Sequence, residues 1–451
     1  MLYYSTNKKA KPVSFAEALL KGLAPDKGLF MPENIPVLSG TEIAAFAGKP
    51  YHEIAYSVIR QFLKSQIPDQ ELYEMVKDAY NFDVPLEQVY HRNYIMRLDR
   101  GPTASFKDFA ARMMGRMMQY FLKKENRSLL ILTATSGDTG SAIANAFHGL
   151  DNIEVVVLFP ENEVTERQRK QMTTLSENVR IIALEGKFDD CQSLVKEAFM
   201  DKDLDTLNLS SANSINIGRL VPQIVYYFYS YAQLSEKKGE PVIFSVPSGN
   251  FGDMMGGVLA MKMGLPVRKF VIATNENDEF PAYLNTGKYT KVDPSRNCIS
   301  SAMNVGHPSN LARLVGLYGG VMDEKGNIIE AADMESMRKQ IWSAGISDEE
   351  TRQTISSAWV SYGLLLEPHG AVGWAGLMKY FGLPTGDHTP EQLAICLETA
   401  HPAKFPKEIN DILRIDPALP DSLKGLESKP EQFTRMKNAY ETFKQFLKDN
   451  Y

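Results

Sequence analysis

Lys107 stands in Gly-Pro-Thr-Ala-Ser-Phe-Lys-Asp-Phe-Ala (101–110), ahead of a run in which Phe106, Phe109, Ala110, Met113, Met114, Met117, Met118, Phe121 and Leu122 recur at helical spacing. At roughly 100° per residue Lys107 falls over Ala111, Met114 and Met118, on the apolar stripe, while Arg112, Arg116 and Gln119 lie well round the cylinder. Ser105 with Asp108 reads as a capping-box-like pair and puts Lys107 in the first helical turn. There, desolvation and the positive end of the helix dipole both lower an amine's pKa. A partly neutral amine is what Schiff-base chemistry requires. The same placement also suits a lysine that snorkels to water or pairs with Asp108, so this segment alone does not decide.

Two glycine-containing loops bear on the choice. Ser248-Gly-Asn-Phe-Gly252 follows an expected strand and opens an expected helix, Asp253–Met263. Gly249 and Gly252 let backbone approach a ligand, and the free N–H groups of a helix start favour an anion, so the loop reads as a phosphate cradle or as an ordinary βα turn. It lacks the Gly-Lys-Ser/Thr of a Walker loop and the GxGxxG of a dinucleotide site. Thr135-Ser-Gly-Asp-Thr-Gly140 occupies the equivalent place after another strand, with the hydroxyls of Thr135, Ser136 and Thr139 near a helix start. That combination suits a second anion or a carboxylate, and equally an N-cap at Ser136 or Asp138 with turn glycines. Ser210-Ser-Ala-Asn-Ser-Ile-Asn216, with Arg219 one turn on, reads as a capping segment with a structural arginine or as an anion clamp. Thr399 and His401, in Glu-Thr-Ala-His-Pro-Ala-Lys (398–404), come directly after the last apolar strand, at the strand edge where parallel sheets bind ligands. A threonine there either faces a heteroaromatic nitrogen or caps a turn. His369, in Glu-Pro-His-Gly-Ala-Val (367–372), poses the same question.

These side chains need elements to hold them. Leu129–Ala134 is a short continuous apolar run, as expected of a strand buried on both faces, followed by the helix Ser141–Phe147. Ile153–Phe159, Val179–Leu184 and Leu207–Ser210 continue the series up to an aromatic helix, Ile217–Leu234. The pattern restarts with Val242–Val246, Val271–Thr274 and Leu393–Leu397. Alternating strands and helices in two runs predict two doubly wound α/β layers facing a cleft. The first ninety or so residues read as mostly helical, at Phe15–Leu23, His52–Leu63 and Gln70–Tyr80; Asn275–Asn310 reads as a long loop or lid, and Glu431–Lys448 as a surface helix. The division that follows is a helical N-terminal domain at 1–93, a small α/β domain at 94–236 and a large one at 237–451.

Composition sets the bounds. With 451 residues, two or three domains are expected, and a net charge of −6 argues against nucleic acid and acidic membrane partners. Cys191, Cys298 and Cys396 are scattered, with neither disulfide nor zinc spacing, so no metal is expected and a reducing compartment is. No stretch has signal-peptide or membrane-span character, which places the protein in the cytoplasm.

The ordered set Gly-Pro-Thr-Ala-Ser-Phe-Lys-Asp-Phe, Thr-Ser-Gly-Asp-Thr-Gly and Ser-Gly-Asn-Phe-Gly-Asp closely resembles the threonine synthases. These are pyridoxal-phosphate enzymes of the tryptophan-synthase-β, or fold type II, family. The resemblance extends to the early Ser-Phe-Ala-Glu-Ala and Gly-Leu-Ala-Pro-Asp-Lys-Gly-Leu-Phe-Met-Pro and to the late Glu-Thr-Ala-His-Pro-Ala-Lys-Phe, nearly the whole chain. It implies pyridoxal 5'-phosphate held as a Schiff base on Lys107, with its phosphate cradled by Ser248, Gly249, Asn250, Phe251 and Gly252. It implies that Thr399 bonds the pyridine nitrogen, and that Thr135, Ser136, Asp138 and Thr139 lie near the substrate. The implied reaction turns O-phospho-L-homoserine and water into L-threonine and phosphate. Asp138 and Thr139 stand where dehydratase and cysteine-synthase-like relatives usually carry Asn and His, which weakens the dehydratase reading. The rivals are another pyridoxal-phosphate lyase, a threonine dehydratase or a phospholyase, and a non-catalytic anion-binding module. Oligomeric state is not legible from the sequence.

Overall fold

Leu129–Ala134 is buried along its whole length, and a strand with no wet face must be covered on both sides. In the computed structural model, which describes residues 1–63 and 66–451, it sits inside a five-stranded parallel sheet. The order is Thr434–Lys437, Val179–Glu185, Ile153–Pro160, Leu129–Ala134 and Leu209–Ser210. One face, with Leu130, Leu132, Val156 and Leu158, packs on Cys191, Leu194 and Val195. The other, with Ile131, Val155 and Val157, joins Met113, Met117 and Phe147. A six-stranded sheet runs Ile341–Gly345, Val267–Thr274, Val242–Pro247, Leu393–Glu398, Asn93–Arg97 and Leu86–Tyr90, parallel except for the last pair. Its outer face, with Ile243, Val271 and Ala394, packs on Ala371, Trp374 and Leu377. Its inner face, with Phe244, Phe270 and Ile395, belongs to the same apolar core as the inner face of the smaller sheet. The two doubly wound α/β layers expected from sequence are thus present and share one core. Helix Lys107–Glu125 runs through that core, with Ala111, Met114 and Met118 fully buried.

Neither sheet is one continuous stretch of chain. Leu86–Tyr90 and Asn93–Arg97 precede the smaller sheet in sequence but pair in the larger, and Thr434–Lys437 returns from near the C-terminus to the smaller. Cuts at 93/94 and 236/237 therefore separate stretches of sequence rather than sheets. The N-terminal helices form as Phe15–Lys21, Tyr51–Leu63 and Asp69–Ala79, joined by an antiparallel strand pair, Tyr3–Ser5 with Phe30–Pro32, that helical spacing does not reveal.

Other expectations change in detail. The stretch Asn275–Asn310 contains a helix, Glu279–Thr286, held by buried Phe280, Tyr283 and Leu284 and ended by Gly287 in the left-handed region. The C-terminal stretch expected as one helix splits into edge strand Thr434–Lys437 and helix Tyr440–Asn450. The aromatic helix is interrupted by a 3₁₀ turn, Val221–Ile224, at Pro222, which has no N–H to donate.

Candidate active site

Residues 104–106 run antiparallel along 399–401, just past strand Leu393–Glu398. Phe106 N–H donates to the Thr399 carbonyl (2.8 Å) and His401 N–H to that of Ala104 (3.0 Å), with Ser105 bridging Ala400. Lys107, the first residue of its helix, is therefore held against the C-terminal edge of the larger sheet, where Thr399 is buried. The expected Ser105–Asp108 capping box is not formed. Phe106 is the N-cap without a side-chain bond, and Asp108 instead accepts from Thr103 N–H (2.8 Å) and Thr103 Oγ1 (2.6 Å). Asp108 thereby braces the 101–106 turn, in which Gly101 is required because a Cβ would come within 2.4 Å of Asp108 Oδ2.

Lys107 does not snorkel. Its side chain is 13% exposed, and Nζ lies 4.8 Å from the Phe106 ring centroid and 3.7 Å from Asp138 Oδ2. Burial pulls its pKa below the usual lysine range, against the pull of Asp138, and Lys404 and Arg219 add to the lowering. Burial on the apolar stripe thus acts in the direction anticipated from sequence, towards a more readily deprotonated amine.

The Thr135–Gly140 loop leads into helix Asp138–Phe147. Thr135 Oγ1 accepts from Gly137 N–H (2.9 Å) and Gly140 N–H (2.8 Å), so this buried hydroxyl clamps the loop. Gly137, at φ 134, lies against the Gln168 amide, 2.5 Å from where a Cβ would sit, and no other residue suits it. Asp138 is tied into the protein through both carboxylate oxygens. It is buried, bonded by Lys404 Nζ (2.5 Å) and Gln168 Nε2 (3.0 Å) on Oδ1, and its pKa is held far below the carboxylate range despite desolvation. A fixed anion repels a substrate carboxylate or phosphate; its partner is a lysine. Ser136 and Thr139 remain half-buried beside it.

Across the cleft, Ser248 is buried and Gly249 and Asn250 are accessible; helix Gly252–Lys262 begins from Phe251, which adopts the left-handed conformation (φ 64) and provides no side-chain cap. Met254 N–H donates to Asp253 Oδ1 (2.8 Å), which leaves the N–H groups ahead of it for an anion. A Cβ on Gly249 would lie 3.0 Å from both the Ala302 carbonyl oxygen and Met303 Cα. Asn310 Nδ2 donates to the Asn250 carbonyl (3.0 Å), and the Phe251 ring packs edge-on against Phe280. Asp253, in the first turn, is buried, and burial pushes its carboxyl up to about 7.

The remaining candidates sort themselves. His369 is structural: Ala302 N–H donates to Nε2 (3.0 Å), so Nδ1 carries the proton and donates to Glu367 (2.5 Å). His401 caps the next turn through Nδ1 (3.1 Å from Ala403 N), and burial brings its pKa down to about 4, leaving it neutral. Arg219 is buried with Nε unpartnered among the described residues and acts electrostatically on Lys107. Sequence reasoning misses Lys404 and Gln168 as site residues. Lys404 at least stands in the same phrase as Thr399 and His401, but Gln168 has no signal beyond its place in the Thr165–Gln168 capping box.

Among the described residues no helix is long and apolar enough to cross a membrane, and no cluster of His, Cys, Asp and Glu could hold a metal. Three family models match in sequence order: threonine synthase N terminus over residues 2–80, pyridoxal-phosphate dependent enzyme over 84–388, and threonine synthase, C-terminal, over 371–447. The chain is 37% identical to the threonine synthase of Pseudomonas aeruginosa, covering 99% of this chain and 98% of that one. It is also 37% identical to that of Escherichia coli, over 94% of each. Among solved structures, pyridoxal-phosphate-bound threonine synthase from Brucella melitensis superposes with a TM-score of 0.91 at 35% identity, over 100% of this chain and 99% of the other. The Escherichia coli enzyme gives 0.88 at 35% identity over 100% of both chains. The relatives favour the synthase reading over dehydratase, phospholyase or non-catalytic module, and the cofactor that goes with it is pyridoxal phosphate. With matches that run from residue 2 to residue 447, the chain belongs to the threonine synthase family of pyridoxal-phosphate-dependent enzymes.

Proposed function

We propose that this chain converts O-phospho-L-homoserine and water into L-threonine and phosphate, with pyridoxal phosphate carried on Lys107. The observation that carries the residue assignment is Lys107 itself, a shielded lysine with a lowered pKa between the two sheets, flanked by both glycine-containing loops and Thr399. The residues fit the cofactor. Gly249 lets the loop pass close to the 302–303 backbone, where a Cβ would strike it, and the start of helix Gly252–Lys262, without a side-chain cap from Phe251, supplies N–H donors for a phosphate. The Thr399 hydroxyl suits a pyridine nitrogen, and being neutral it does not force that nitrogen to be protonated. Pyridoxal phosphate, when bound, supplies an aldehyde that condenses with amines and a ring that accepts the electrons of a carbanion.

The chain's own groups do the rest. Lys107 Nζ would take the proton from Cα and move protons at Cβ and Cγ, a role that its lowered pKa favours. Ser136 and Thr139, with the N–H groups opening helix Asp138–Phe147, bind the substrate carboxylate. Arg219, with its unpartnered Nε, supplies positive charge for the leaving phosphate. The three cysteines are buried and free, which suits the reducing cytoplasm, and the ligands are small molecules.

Borohydride reduction of the holoenzyme followed by peptide mapping should find the cofactor on the peptide that contains Lys107. O-Phosphohomoserine should yield threonine and phosphate in equal amounts, and Lys107→Ala should lose both signals with its circular dichroism intact. Release of a 2-oxo acid and ammonia instead overturns the synthase assignment; cofactor found on another lysine overturns that of Lys107.

A further inference from the structure

Lys404 lies in the turn Pro402–Lys404 beyond strand Leu393–Glu398, and its side chain has no exposure. A wholly buried lysine needs a reason to carry charge, and the reason is specific. Its Nζ donates to the Thr103 carbonyl (2.9 Å) and lies 2.5 Å from Asp138 Oδ1. Gln168 Nε2 donates to the same oxygen (3.0 Å). The second oxygen, Oδ2, faces Lys107 Nζ at 3.7 Å, long for a direct bond. One carboxylate thus stands between two lysines, engaged closely by one and loosely by the other. Without Lys404, a buried Asp138 would have Lys107 as its nearest cation, and a buried ion pair holds its proton on the amine.

We infer that Lys404 is a positioning residue for Lys107: by engaging Oδ1 of Asp138 it keeps that carboxylate from closing on Lys107 and leaves the Lys107 amine uncommitted. It has a second consequence. Whenever Lys107 carries no charge, Asp138 still has a cation, so the site never holds a lone buried carboxylate. The inference rests on Lys107 being the reactive amine. The charged groups that act on Lys107 come from four elements: Asp138 at the start of its helix, Lys404 from the 402–404 turn, Arg219 from helix Ile217–Leu220 and Asp253 from helix Gly252–Lys262. Asp138 and Asp253 favour the charged amine, while Lys404 and Arg219 oppose it, as burial does most of all. Of these four, Asp138 and Lys404 are tied together by a bond.

The test reads the Lys107 amine in the apoenzyme, by trace acetylation with acetic anhydride across pH and mass spectrometry of the Lys107 peptide. Lys404→Met should raise the midpoint of Lys107 labelling by about 1–3 pH units, the effect of an opposed charge at close range. Lys404→Arg keeps the cation and should restore the midpoint to within about half a unit of the parent. Lys404→Met combined with Asp138→Asn removes both opposing influences and should also return to within about half a unit. A folded Lys404→Met protein with an unmoved midpoint overturns the inference. So does a double variant whose midpoint falls by more than about one unit, because Asp138 would then act on Lys107 unshielded. The double variant contains no unpaired member of this pair, so its midpoint decides the matter if Lys404→Met does not fold. In the holoenzymes, the pH dependence of the cofactor's visible absorbance should shift in the same order. Borohydride mapping decides separately whether Lys107 carries the cofactor, so failure of that assignment is not mistaken for failure of this one.

Discussion

Gly249→Ala is the sharpest test of the phosphate cradle, because the structure fixes which side of the contact must yield. The new Cβ would lie 3.0 Å from the Ala302 carbonyl oxygen and 3.0 Å from Met303 Cα, both backbone atoms, with Met303 Cβ at 3.6 Å. Relief requires a shift of a few tenths of an ångström. The 300–304 turn resists it: Ala302 N–H is bonded to His369 Nε2 (3.0 Å), Asn275 Nδ2 reaches Ser300 Oγ (3.2 Å) and Asn304 Oδ1 (2.9 Å), and Met303 packs with Ala273 and Val372. The Ser248–Gly252 loop is the softer partner. Asn250 is exposed and, beyond Asn310, has only long contacts with Ser309 (3.4 and 3.5 Å). The loop therefore moves, and the donors meant for the phosphate move with it. Overpacking of this kind costs about 1–3 kcal/mol. Taken up wholly in cofactor binding, that is a loss of about 5- to 150-fold in affinity. The assay is fluorescence or absorbance titration of the apoenzyme with pyridoxal phosphate, alongside urea unfolding of the same apoenzyme. The expected pair of results is weakened cofactor binding with an almost unchanged apoenzyme unfolding midpoint. An apoenzyme destabilised by the full amount with cofactor affinity intact would mean that the turn gives way rather than the loop, and would refute the reasoning.

Two further perturbations probe the surroundings. The Asp253 carboxyl, pushed up to about 7 by burial, holds a proton in the folded apoenzyme at pH values where the unfolded chain, near 3.8, has lost it. Its contribution is thus fully present below pH 3.8 and is lost as pH rises towards 7, a swing on the order of 4 kcal/mol. Asp253→Asn should gain apoenzyme stability relative to the parent between pH 5 and pH 8 in urea titrations, and an equal difference at both would contradict this. Arg313 is fully buried and donates to the carbonyls of Phe30 (3.1 Å), Ser214 (3.3 Å) and Ile215 (2.7 Å) and to Asn310 Oδ1 (2.6 Å). Arg313→Met should cost about 1–3 kcal/mol for each acceptor left dry, and limited proteolysis should cut first around residues 24–32.

What is legible in the sequence follows from which residues act locally. The buried strands announce themselves because each is apolar throughout, and the stripe under Lys107 because a helix repeats its face every few residues. Strands such as Asn93–Arg97 and Thr434–Lys437 do not: they are short and mixed in polarity, and each enters its parallel sheet through a partner over a hundred residues away. The same distinction governs the site. Lys107 can be singled out because it stands on the apolar stripe of its helix, and the two loops and Thr399 because each follows an apolar strand that sequence can mark. The bond between Lys404 and Asp138 joins residues 266 positions apart by numbering, 404 less 138, and only the close approach of the 402–404 turn to the 135–140 loop creates it. Asp108 shows the converse failure: by residue type and spacing it suggests a capping acid, and it accepts from Thr103 instead.

An acidic chain of net charge −6 can host a site for anions because charge here is a matter of local arrangement. The site brings together three basic side chains, Lys107, Lys404 and Arg219, against one firmly ionised carboxylate, Asp138, while Asp253 is inclined by burial to keep its proton near neutrality. Lys404, Arg219, Asp138 and Asp253 are buried and Lys107 is largely shielded, so the imbalance acts at low effective dielectric, where each unit counts for more than a surface pair would. A cofactor phosphate, a substrate carboxylate and a leaving phosphate all enter as anions, and all relieve it. The one group that must not be neutralised by a fixed partner is the amine of Lys107. Placing a firmly ionised carboxylate beside it would defeat the chemistry, were that carboxylate not already held by a second lysine.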